Sequence, residues 1–245
     1  MEPTILYQDE DILVINKPAG MIVNKADTTK DVVTVQEWAE DKFKVKSLKL
    51  KVEEGNDFIN RGGIVHRLDK ETSGALIIAK TQEAFIELQR QFKERLVQKT
   101  YTALVYGNVK TEAGDINVPI GRLPWNRMRF GVLVGGRESY TTYKVVEKYR
   151  KDKNIYTRLE LHPLTGRTHQ IRVHVKHLGF PIVGDILYGG RKQTAQARKW
   201  CPRLFLHAQK ISFLLPGTNQ NVTFEAPLPQ DLQETLAQLT HFDIQ

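Results

Sequence analysis

The chain has 245 residues, 40% hydrophobic and 26% charged, which is enough apolar material for a sizeable core and excludes a fibrous or wholly disordered chain. Lys and Arg number 36 against 28 Asp and Glu, and this net charge of +8 favours polyanionic partners such as nucleic acid, although a general positive bias would also explain it. The single cysteine excludes an intrachain disulfide and a zinc site built from paired cysteines. The charged N-terminus argues against a secretory leader, and the lack of a long apolar run argues against a membrane span. We therefore expect a cytoplasmic protein.

The N-terminal quarter contains two predicted strands, a helix and a loop. Apolar runs at 5–7 and 12–15 on either side of an acidic turn predict the strands, and Lys17-Pro18-Ala19-Gly20 ends the second one. A threonine N-cap and a tryptophan on the apolar face predict a helix from residue 34 to about 43. The lysine-rich segment 44–60 predicts an exposed loop, with a short strand as the alternative.

The middle of the chain is richer in strands. A continuous apolar run at 75–79 predicts a strand buried on both faces. Apolar residues spaced three and four apart predict an amphipathic helix over 81–93. Residues 100–106 alternate in polarity, which predicts a strand, and the segments 140–146 and 156–161 are strand-like as well.

The last third predicts two helices and a strand. Residues 168–178 predict a helix with Thr168 as its N-cap and Gly179 at its C-terminal cap. Residues 204–213 predict a strand and 230–239 a final helix. Strands outnumber helices and do not alternate regularly with them, which favours an α+β fold with a largely antiparallel or mixed sheet over a doubly wound parallel one.

A polar loop, GGIVHRLDKETSG at 62–74, comes directly before the buried strand at 75–79. Glycines at both of its ends allow tight turns, and loops on a rigid sheet commonly carry reactive groups. Asp69 is its candidate reactive carboxylate. The alternative is that Asp69 only caps backbone N–H groups, as a lone loop aspartate often does.

A second polar segment, LTGRTHQIRVH at 164–174, places arginines and histidines in the first turns of a predicted helix. A helix N-terminus already favours anions, so Arg167 and Arg172 there predict an anion site for a phosphate or for a carboxylate such as Asp69. A structural ion pair is the alternative for Arg172.

A third segment places Lys99 two residues before Tyr101 on a predicted strand. The tyrosine ring could stack on a nucleobase, although a strand tyrosine is by default a packing residue. Four histidines suggest a metal, but they lack an HxxxH pair on one helix and cysteine partners, so no metal site is predicted. His66, Asp69 and Ser73 contain the residue types of a hydrolytic triad but lie within eight residues and lack a G-x-S-x-G setting.

Together these segments resemble one family. HRLDKETSG at 66–74 resembles the H-R-L-D-x-x-T-S-G signature of the RluA-like pseudouridine synthases, and GRTHQIRVH at 166–174 is similar to their second hallmark. The order of the flanking blocks also matches: an opening LYQDEDILVINKPAGM, a K-x-Y strand after the first hallmark, then PIVGDILYG and FEAPLP. The similarity spans nearly the whole chain.

The resemblance implies a fold and a reaction. The fold is one catalytic domain over 1–245, of the α+β class, with a long mixed, largely antiparallel sheet in two halves, flanking helices and a central active-site cleft. No S4 RNA-binding domain is expected. The reaction is isomerisation of specific uridines to pseudouridine in structured rRNA or tRNA, after the base is flipped out of its stack.

The resemblance also implies residue roles. Asp69 is the aspartate that starts the break of the N1–C1′ bond, by attack on the sugar, by removal of a sugar proton or by stabilising a cationic sugar. Tyr101 stacks on the target uracil and relays a proton, and Arg172 pairs with the aspartate. Arg67 fills the gap left by the flipped base. The remaining predicted substrate contacts are His66, Arg167, Lys99 and Thr72.

The implied enzyme needs no cofactor or metal and acts as a monomer. Without an S4 domain, its own basic surface must select the RNA. The segments 44–60 and 122–129, the latter with Trp125 and Phe130 close by, are candidate contacts, and plain exposed loops are the alternative. Two rival functions are a non-catalytic RNA-binding or ribosome-assembly factor and a metal-dependent RNA hydrolase.

Overall fold

The structure is a computed structural model that describes residues 2–26, 29, 32–43, 57–218 and 220–242. The chain divides into two compact units. Unit 1 comprises Met1–Gln98 and Ala208–Pro227, and unit 2 comprises Lys99–His207 and Leu228–Gln245. None of the described helices combines the length and the apolar character that crossing a membrane would require.

The described residues form strands and helices in the following order. The strands are β1 Thr4–Gln8, β2 Ile12–Lys17, β3 Ser73–Ala79, β4 Gln98–Tyr106, β5 Ala113–Asn117, β6 Ile120–Arg122, β7 Phe130–Val132, β8 Tyr140–Lys151, β9 Asn154–Pro163, β10 Leu206–Leu214, β11 Asn221–Glu225 and β12 Thr240–His241. The helices are α1 Val35–Phe43, α2 Asp57–Asn60, α3 Gln82–Lys93, α4 Gln170–His177, α5 Arg191–Ala197 and α6 Gln230–Ala237.

Unit 1 is built on strands in the order β1-β2-β3-β10-β11, with antiparallel pairing in β1/β2, β2/β3 and β10/β11. The predicted N-terminal hairpin is confirmed, because Asp9 Oδ1 accepts the backbone N–H groups of Asp11 and Ile12 in its turn (2.9 and 2.7 Å). Every residue of β3 is buried, as its unbroken apolar run predicts. Phe85 and Leu88 on the apolar face of α3 join the buried core of this unit.

The two predicted helices of unit 1 are confirmed, together with the N-cap predicted for α1. At α1, Thr34 Oγ1 accepts the Glu37 N–H (3.2 Å) while Glu37 Oε2 accepts the Thr34 N–H (3.0 Å), so two otherwise unpaired donors are satisfied. At α3, Thr81 Oγ1 accepts the Ala84 N–H (3.3 Å). The helix starts therefore lie where the local sequence predicts them.

Unit 2 contains strands in the order β4-β9-β8, with β5 and β12 also paired to β8, all antiparallel. β6 and β7 form a separate antiparallel hairpin. β8 and β9 run longer than predicted because a tight turn joins them, with Asp152 at a positive φ of 53°. Both units combine antiparallel strands with few helices, which confirms the α+β class. The single domain over 1–245 and the central cleft stay predictions.

The predicted start of α4 is wrong. The helix begins at Gln170 rather than after Thr168, and His169 takes the N-cap position in a left-handed conformation with a φ of 58° and no capping side chain. The reason is the side chain of Gln170, whose Oε1 accepts the Thr165 hydroxyl (2.7 Å) and the Arg167 N–H (2.9 Å). That carbonyl organises the turn, and Thr168 is left exposed.

The prediction for segment 44–60 is wrong at its end. Residues 44–56 lie outside the described ranges, but Asp57–Asn60 forms α2, and Phe58 is buried against Phe85 with ring centroids 5.6 Å apart. The aromatic side chain is thus part of the core of unit 1 and not of an exposed loop. The elements β5, β6, β7, α5, β11 and β12 were not predicted at all.

Candidate active site

Asp69 lies in the loop that leads into β3, as the sequence predicts. Near its start, Gly63 has a φ of 75°, and a Cβ there would lie 2.0 Å from Ala79 O. At its end, Gly74 has a φ of 119°, and a Cβ there would lie 2.2 Å from Ala208 O. Only glycine fits such close backbone approaches. The loop is therefore clamped to the sheet at both ends, and it holds Asp69 half-buried.

The side chain of Lys17 supports the same loop from the end of β2. Lys17 is fully buried, and its Nζ donates to Pro18 O and Met21 O (2.8 Å each) and to Lys70 O (3.3 Å). Because Lys70 follows Asp69 directly, this ammonium fixes the backbone beside the candidate carboxylate. Sequence reasoning placed Lys17 only at a strand end. The available signal was a lysine that ends an apolar strand and precedes a Pro-Ala-Gly turn.

The other predicted contacts in this loop have different surroundings. His66 Nε2 accepts the Ile77 N–H (3.0 Å) and its ring lies 4.7 Å from that of Phe92, so this histidine has a structural role that the sequence did not indicate. Arg67 is exposed. Thr72 is 2% exposed, and its Oγ1 has no hydrogen-bond partner among the residues that the structure describes. A buried hydroxyl of this kind is stabilised by a bound polar group.

Arg172 on α4 forms a buried ion pair in unit 2. Its Nε and Nη2 donate to Asp185 Oδ2 (2.8 Å) and Oδ1 (2.9 Å), a two-bond arrangement that fixes the plane of the guanidinium. Asp185 is fully buried, and its Oδ1 also accepts the N–H groups of Leu187 (2.9 Å) and Tyr188 (3.0 Å). Asp185 was missed by sequence reasoning. Its signal was an acidic residue inside PIVGDILYG, a block that supported the resemblance without an assigned role.

Lys99 and Tyr101 lie two residues apart on β4, so their side chains leave the same face of the strand. Tyr101 is 9% exposed and lies opposite Leu161 of β9. Lys99 is half-buried as a whole, and its Nζ donates to Thr165 O in a long hydrogen bond (3.4 Å), which brings it to the turn before α4. Desolvation of this ammonium lowers the pKa of Lys99 to about 8.

Arg167 belongs to the same turn. Its backbone N–H is held by Gln170 Oε1, and its Nε donates to Glu138 O (3.0 Å). The side chain is half-buried and therefore oriented by the protein rather than by solvent. Arg167 and Lys99 thus both contact the short turn that precedes α4. The anion site predicted from Arg167 and Arg172 stays a prediction.

A hydrogen-bond chain with one defined direction joins α4 to β8. Gln170 Nε2 donates to Thr141 Oγ1 (3.0 Å), which lies 2.9 Å from His174 Nδ1. Ser139 Oγ lies 2.9 Å from His174 Nε2 and donates its own proton to Val118 O, so Nε2 carries the histidine proton and Nδ1 accepts from Thr141. Burial lowers the pKa of His174 to about 4, so the ring is neutral at pH 7.

The predicted RNA contact at 122–129 lies on the hairpin β6–β7. Trp125 and Met128 at its tip are 76% and 75% exposed. Arg122 lies over the ring of Phe130 at 4.9 Å and donates through Nη1 to Arg127 O (2.7 Å). The tip therefore presents an exposed aromatic ring among arginines, a combination that suits single-stranded RNA.

The predicted site residues fall into two groups. In unit 1, one loop contains Asp69, His66, Arg67 and Thr72. In unit 2, β4 and the start of α4 carry Tyr101, Lys99, Arg167 and Arg172. The predicted pairing of Asp69 with Arg172 and its approach to Tyr101 join residues of different units, and they stay predictions. The described residues contain no group of three His, Cys, Asp or Glu that could hold a metal ion.

Comparison with known proteins agrees with the resemblance. A family model described as RNA pseudouridylate synthase matches residues 11–177. The chain is 39% identical over 239 residues to the ribosomal large subunit pseudouridine synthase D of Pseudomonas aeruginosa, covering 94% of this chain and 70% of that protein. It is 38% identical over 242 residues to the uncharacterized RNA pseudouridine synthase YlyB of Bacillus subtilis, covering 98% of this chain and 73% of that protein.

The solved structure of human RNA pseudouridylate synthase domain containing 1 is similar with a TM-score of 0.73 and 28% identity, covering 100% of this chain and 90% of that one. The region that the family model matches contains both hallmark segments and the strand that joins them in sequence, with Asp69, Tyr101 and Arg172. The chain therefore belongs to the RNA pseudouridylate synthase family and is an isomerase that converts uridine to pseudouridine in RNA.

Proposed function

We propose that this isomerase modifies uridine in the RNA of the large ribosomal subunit and that Asp69 starts the reaction. The relative in Pseudomonas aeruginosa is named for the large ribosomal subunit, and this supports the choice of RNA. The net charge of +8 suits a polyanion of that kind. Cytoplasmic location and a monomeric state stay predictions.

The reaction places strict demands on the residues of the site. The N1–C1′ bond of the nucleotide breaks, the uracil turns, and C5 bonds to C1′. C5 then loses its proton and N1 gains one, so atoms and electrons balance without an oxidant or reductant. A carboxylate can start this sequence by attacking the sugar, by removing a sugar proton or by stabilising a cationic sugar.

The observation that carries the assignment of Asp69 is the way its loop is built. Glycines clamp the loop at both ends, and the buried ammonium of Lys17 holds the carbonyl of the next residue, Lys70. A reactive group needs this rigid support, since a displacement of about 1 Å costs roughly a hundredfold in rate. The loop also carries a family hallmark within the matched residues.

The remaining residues of the proposed site bind and orient the RNA. In this proposal Arg172 orients the carboxylate of Asp69, and Asp185 holds the guanidinium in place for it. Tyr101 stacks on the flipped uracil, and Arg67 occupies the space that the base leaves. Lys99 contacts a phosphate beside the target nucleotide.

The test maps pseudouridine in total RNA from cells with and without the protein, and from cells that carry only Asp69→Asn. We expect one or more large-subunit rRNA positions to lose pseudouridine in both altered strains. Loss confined to tRNA would overturn the proposed substrate, and full modification by Asp69→Asn would overturn the role of the aspartate. A protein that binds RNA while no pseudouridine depends on it would support the rival of a non-catalytic assembly factor.

A further inference from the structure

Tyr188 has no part in the proposed chemistry, yet its hydroxyl joins two elements of unit 2. The side chain is 5% exposed. Its Oη accepts the N–H of Phe130 on the hairpin β6–β7 (3.0 Å) and lies 2.8 Å from Nδ1 of His169, the residue before α4. The amide of Phe130 is a donor only, so the hydroxyl oxygen accepts there and shares a second hydrogen bond with His169 Nδ1. The hydroxyl therefore links the root of the hairpin to the start of α4.

The same tyrosine also contacts Arg172. Its ring centroid lies 5.0 Å from Cζ of Arg172, a distance at which a cation is attracted to the aromatic face. Its backbone N–H donates to Asp185 Oδ1 (3.0 Å), the oxygen that accepts from Arg172 Nη2. Any movement of Tyr188 therefore displaces both the ring and the carboxylate that orient the guanidinium.

Packing makes this junction rigid. Tyr188 shares a small buried cluster with Ile120 of the hairpin and Val173 of α4, and Phe130 packs against the cluster. His169, held at a φ of 58°, contacts the rings of Phe130 (5.7 Å) and Tyr188 (5.6 Å) edge-on. A left-handed conformation at a residue other than glycine costs free energy of the order of 1–2 kcal/mol, so the contacts around His169 must hold it there.

We propose that Tyr188 is a positioning residue that couples the hairpin to Arg172, so that RNA seated at Trp125 on the hairpin tip sets the guanidinium for the reaction. This inference rests on the proposed function, because it concerns RNA bound at the hairpin and the role of Arg172. Tyr188 would then affect the reaction although it takes no part in the chemical steps.

The first test compares Tyr188→Phe with Tyr106→Phe. Tyr188→Phe keeps the ring below Arg172 and removes only the hydroxyl. Tyr106→Phe is the matched control, because Tyr106 is a buried tyrosine of the same unit whose Oη donates to a backbone carbonyl, Gln193 O (3.2 Å). The assay uses total RNA, labelled with tritium at uridine C5, from cells that lack the protein. Single-turnover rates are measured over a range of enzyme concentrations.

We expect Tyr188→Phe to lower the maximal rate about tenfold, as the loss of hydrogen bonds worth about 1 kcal/mol or slightly more predicts, and to change the half-saturating enzyme concentration less than about twofold. Tyr106→Phe should keep the wild-type maximal rate. Maximal rates that are equal in Tyr188→Phe and Tyr106→Phe would overturn the proposal. A wild type that releases no tritium would instead overturn the function.

The second test measures the coupling. In the wild type, Trp125→Ala should raise the half-saturating concentration and lower the maximal rate. Combined with Tyr188→Phe, it should raise only the half-saturating concentration, because the connection is already broken. A reduction of the maximal rate by the same factor in both backgrounds would overturn the coupling.

A third variant separates positioning from stability. His169→Gly removes the partner of the Tyr188 hydroxyl and its ring contacts, but it also relieves the cost of the positive φ, so the unfolding temperature should fall by only a few degrees. The maximal rate should still fall as it does in Tyr188→Phe. A stable His169→Gly protein with the wild-type maximal rate would overturn the proposal.

Discussion

Among single residues, the proposed chemistry depends most on Asp69. Asp69→Asn keeps the size of the side chain and removes its ionised oxygen. We expect tritium release from RNA labelled at uridine C5 to fall by roughly a thousandfold or more, as the loss of a nucleophile or base predicts. RNA affinity should change less than about threefold, because phosphate contacts supply most of it.

The matched control for Asp69→Asn is Glu71→Gln, the same chemical change two residues later in the loop. We expect Glu71→Gln to retain activity within about threefold. Glu71 is partly exposed, and the charge of such a carboxylate contributes little to stability. Comparable losses in both variants would show that the loop needs its charges for folding or RNA binding rather than one carboxylate for chemistry.

Asp185 determines how firmly Arg172 is held. Removing one partner of a buried ion pair costs roughly 3–5 kcal/mol, and Asn retains part of the hydrogen bonding. We therefore expect Asp185→Asn to lower the free energy of unfolding in urea by at least about 2 kcal/mol. Asp231→Asn is the control, because Asp231 pairs with Arg203 but its side chain is 38% exposed, and its loss should cost less than about 1 kcal/mol. Equal losses would contradict a special role for the buried pair.

Lys99 gives RNA binding a dependence on pH. Desolvation lowers the pKa of Lys99 from 10.5 to about 8, so its charge is lost between pH 7 and 9 and RNA affinity should fall over that window. Lys99→Arg stays charged and should bind with nearly constant affinity, whereas Lys99→Met should bind weakly throughout. Filter retention of RNA at fixed ionic strength measures this, and an equally steep decline in all three proteins would contradict the role of Lys99.

The sign of the pH effect on folding follows from the same shift. Between pH 8 and 10.5 the unfolded chain still holds the Lys99 proton and the folded protein has released it. The contribution of Lys99 to the free energy of unfolding therefore increases with pH across that window. This contribution should be absent from Lys99→Met.

Among the helices and strands, the sequence was sufficient to predict those ends that are fixed by contacts between residues close together in the chain. Helices α1 and α3 were predicted, and only α1 with its N-cap; the starts of both are fixed locally, because Thr34 and Thr81 bond within three residues of themselves. The start of α4 was predicted wrongly, because Gln170 reaches back to Thr165 and replaces an N-cap. The hairpin β6–β7 pairs only three residues on each side, too few for an alternating pattern.

The residues of the candidate site divide in the same way, into those recognised from local sequence and those whose role depends on contacts between distant residues. Asp69, Tyr101 and Arg172 lie in segments whose composition and resemblance could be recognised, so they were named from the sequence. Lys17 and Asp185 were not. Lys17 is 53 residues from Lys70, and Asp185 is 13 residues from Arg172, so their roles exist only once the chain has folded. Sequence patterns indicate which residues carry chemistry more readily than which residues hold them.

His174 makes the attachment of α4 sensitive to acid. Burial lowers the pKa of His174 from 6.5 to about 4, so the unfolded chain takes up a proton first as the pH falls. This contribution should reduce the free energy of unfolding by at most about 1.4 kcal/mol per pH unit between pH 6.5 and 4, and it has no effect above that window.

His174→Gln tests that contribution. The variant should be less stable than the wild type at pH 7.5, because it fits the hydrogen bonds to Ser139 and Thr141 less well, but its stability should fall less steeply below pH 6.5. The control is His162→Gln, whose side chain is 41% exposed beside Glu160, and it should keep the wild-type slope. Urea unfolding at several pH values measures the slopes, and parallel curves for His174→Gln and the wild type would contradict the assignment.

At the scale of the whole molecule, the proposed function requires both units. The candidate carboxylate belongs to unit 1, while the tyrosine and the arginine belong to unit 2. The excess of positive charge is likewise a property of the whole chain, and only part of it can contact RNA. Comparing matched charge removals in the two units shows which part does so.

The salt dependence of RNA affinity makes that comparison quantitative. Each phosphate contact on a single strand adds roughly 0.7 to the slope of log affinity against log salt concentration. Arg127→Ala combined with Arg129→Ala on the β6–β7 hairpin should therefore reduce the slope by about 1.4 if both arginines contact phosphates.

The control is Arg90→Ala with Lys93→Ala on α3, which removes the same charge from a helix where Arg90 is already paired with Glu87 and Glu94. Filter retention between about 50 and 200 mM salt measures the slopes. Because both variants lose two positive charges, a general electrostatic effect would change both slopes alike, and that result would rule out a specific RNA contact at the hairpin.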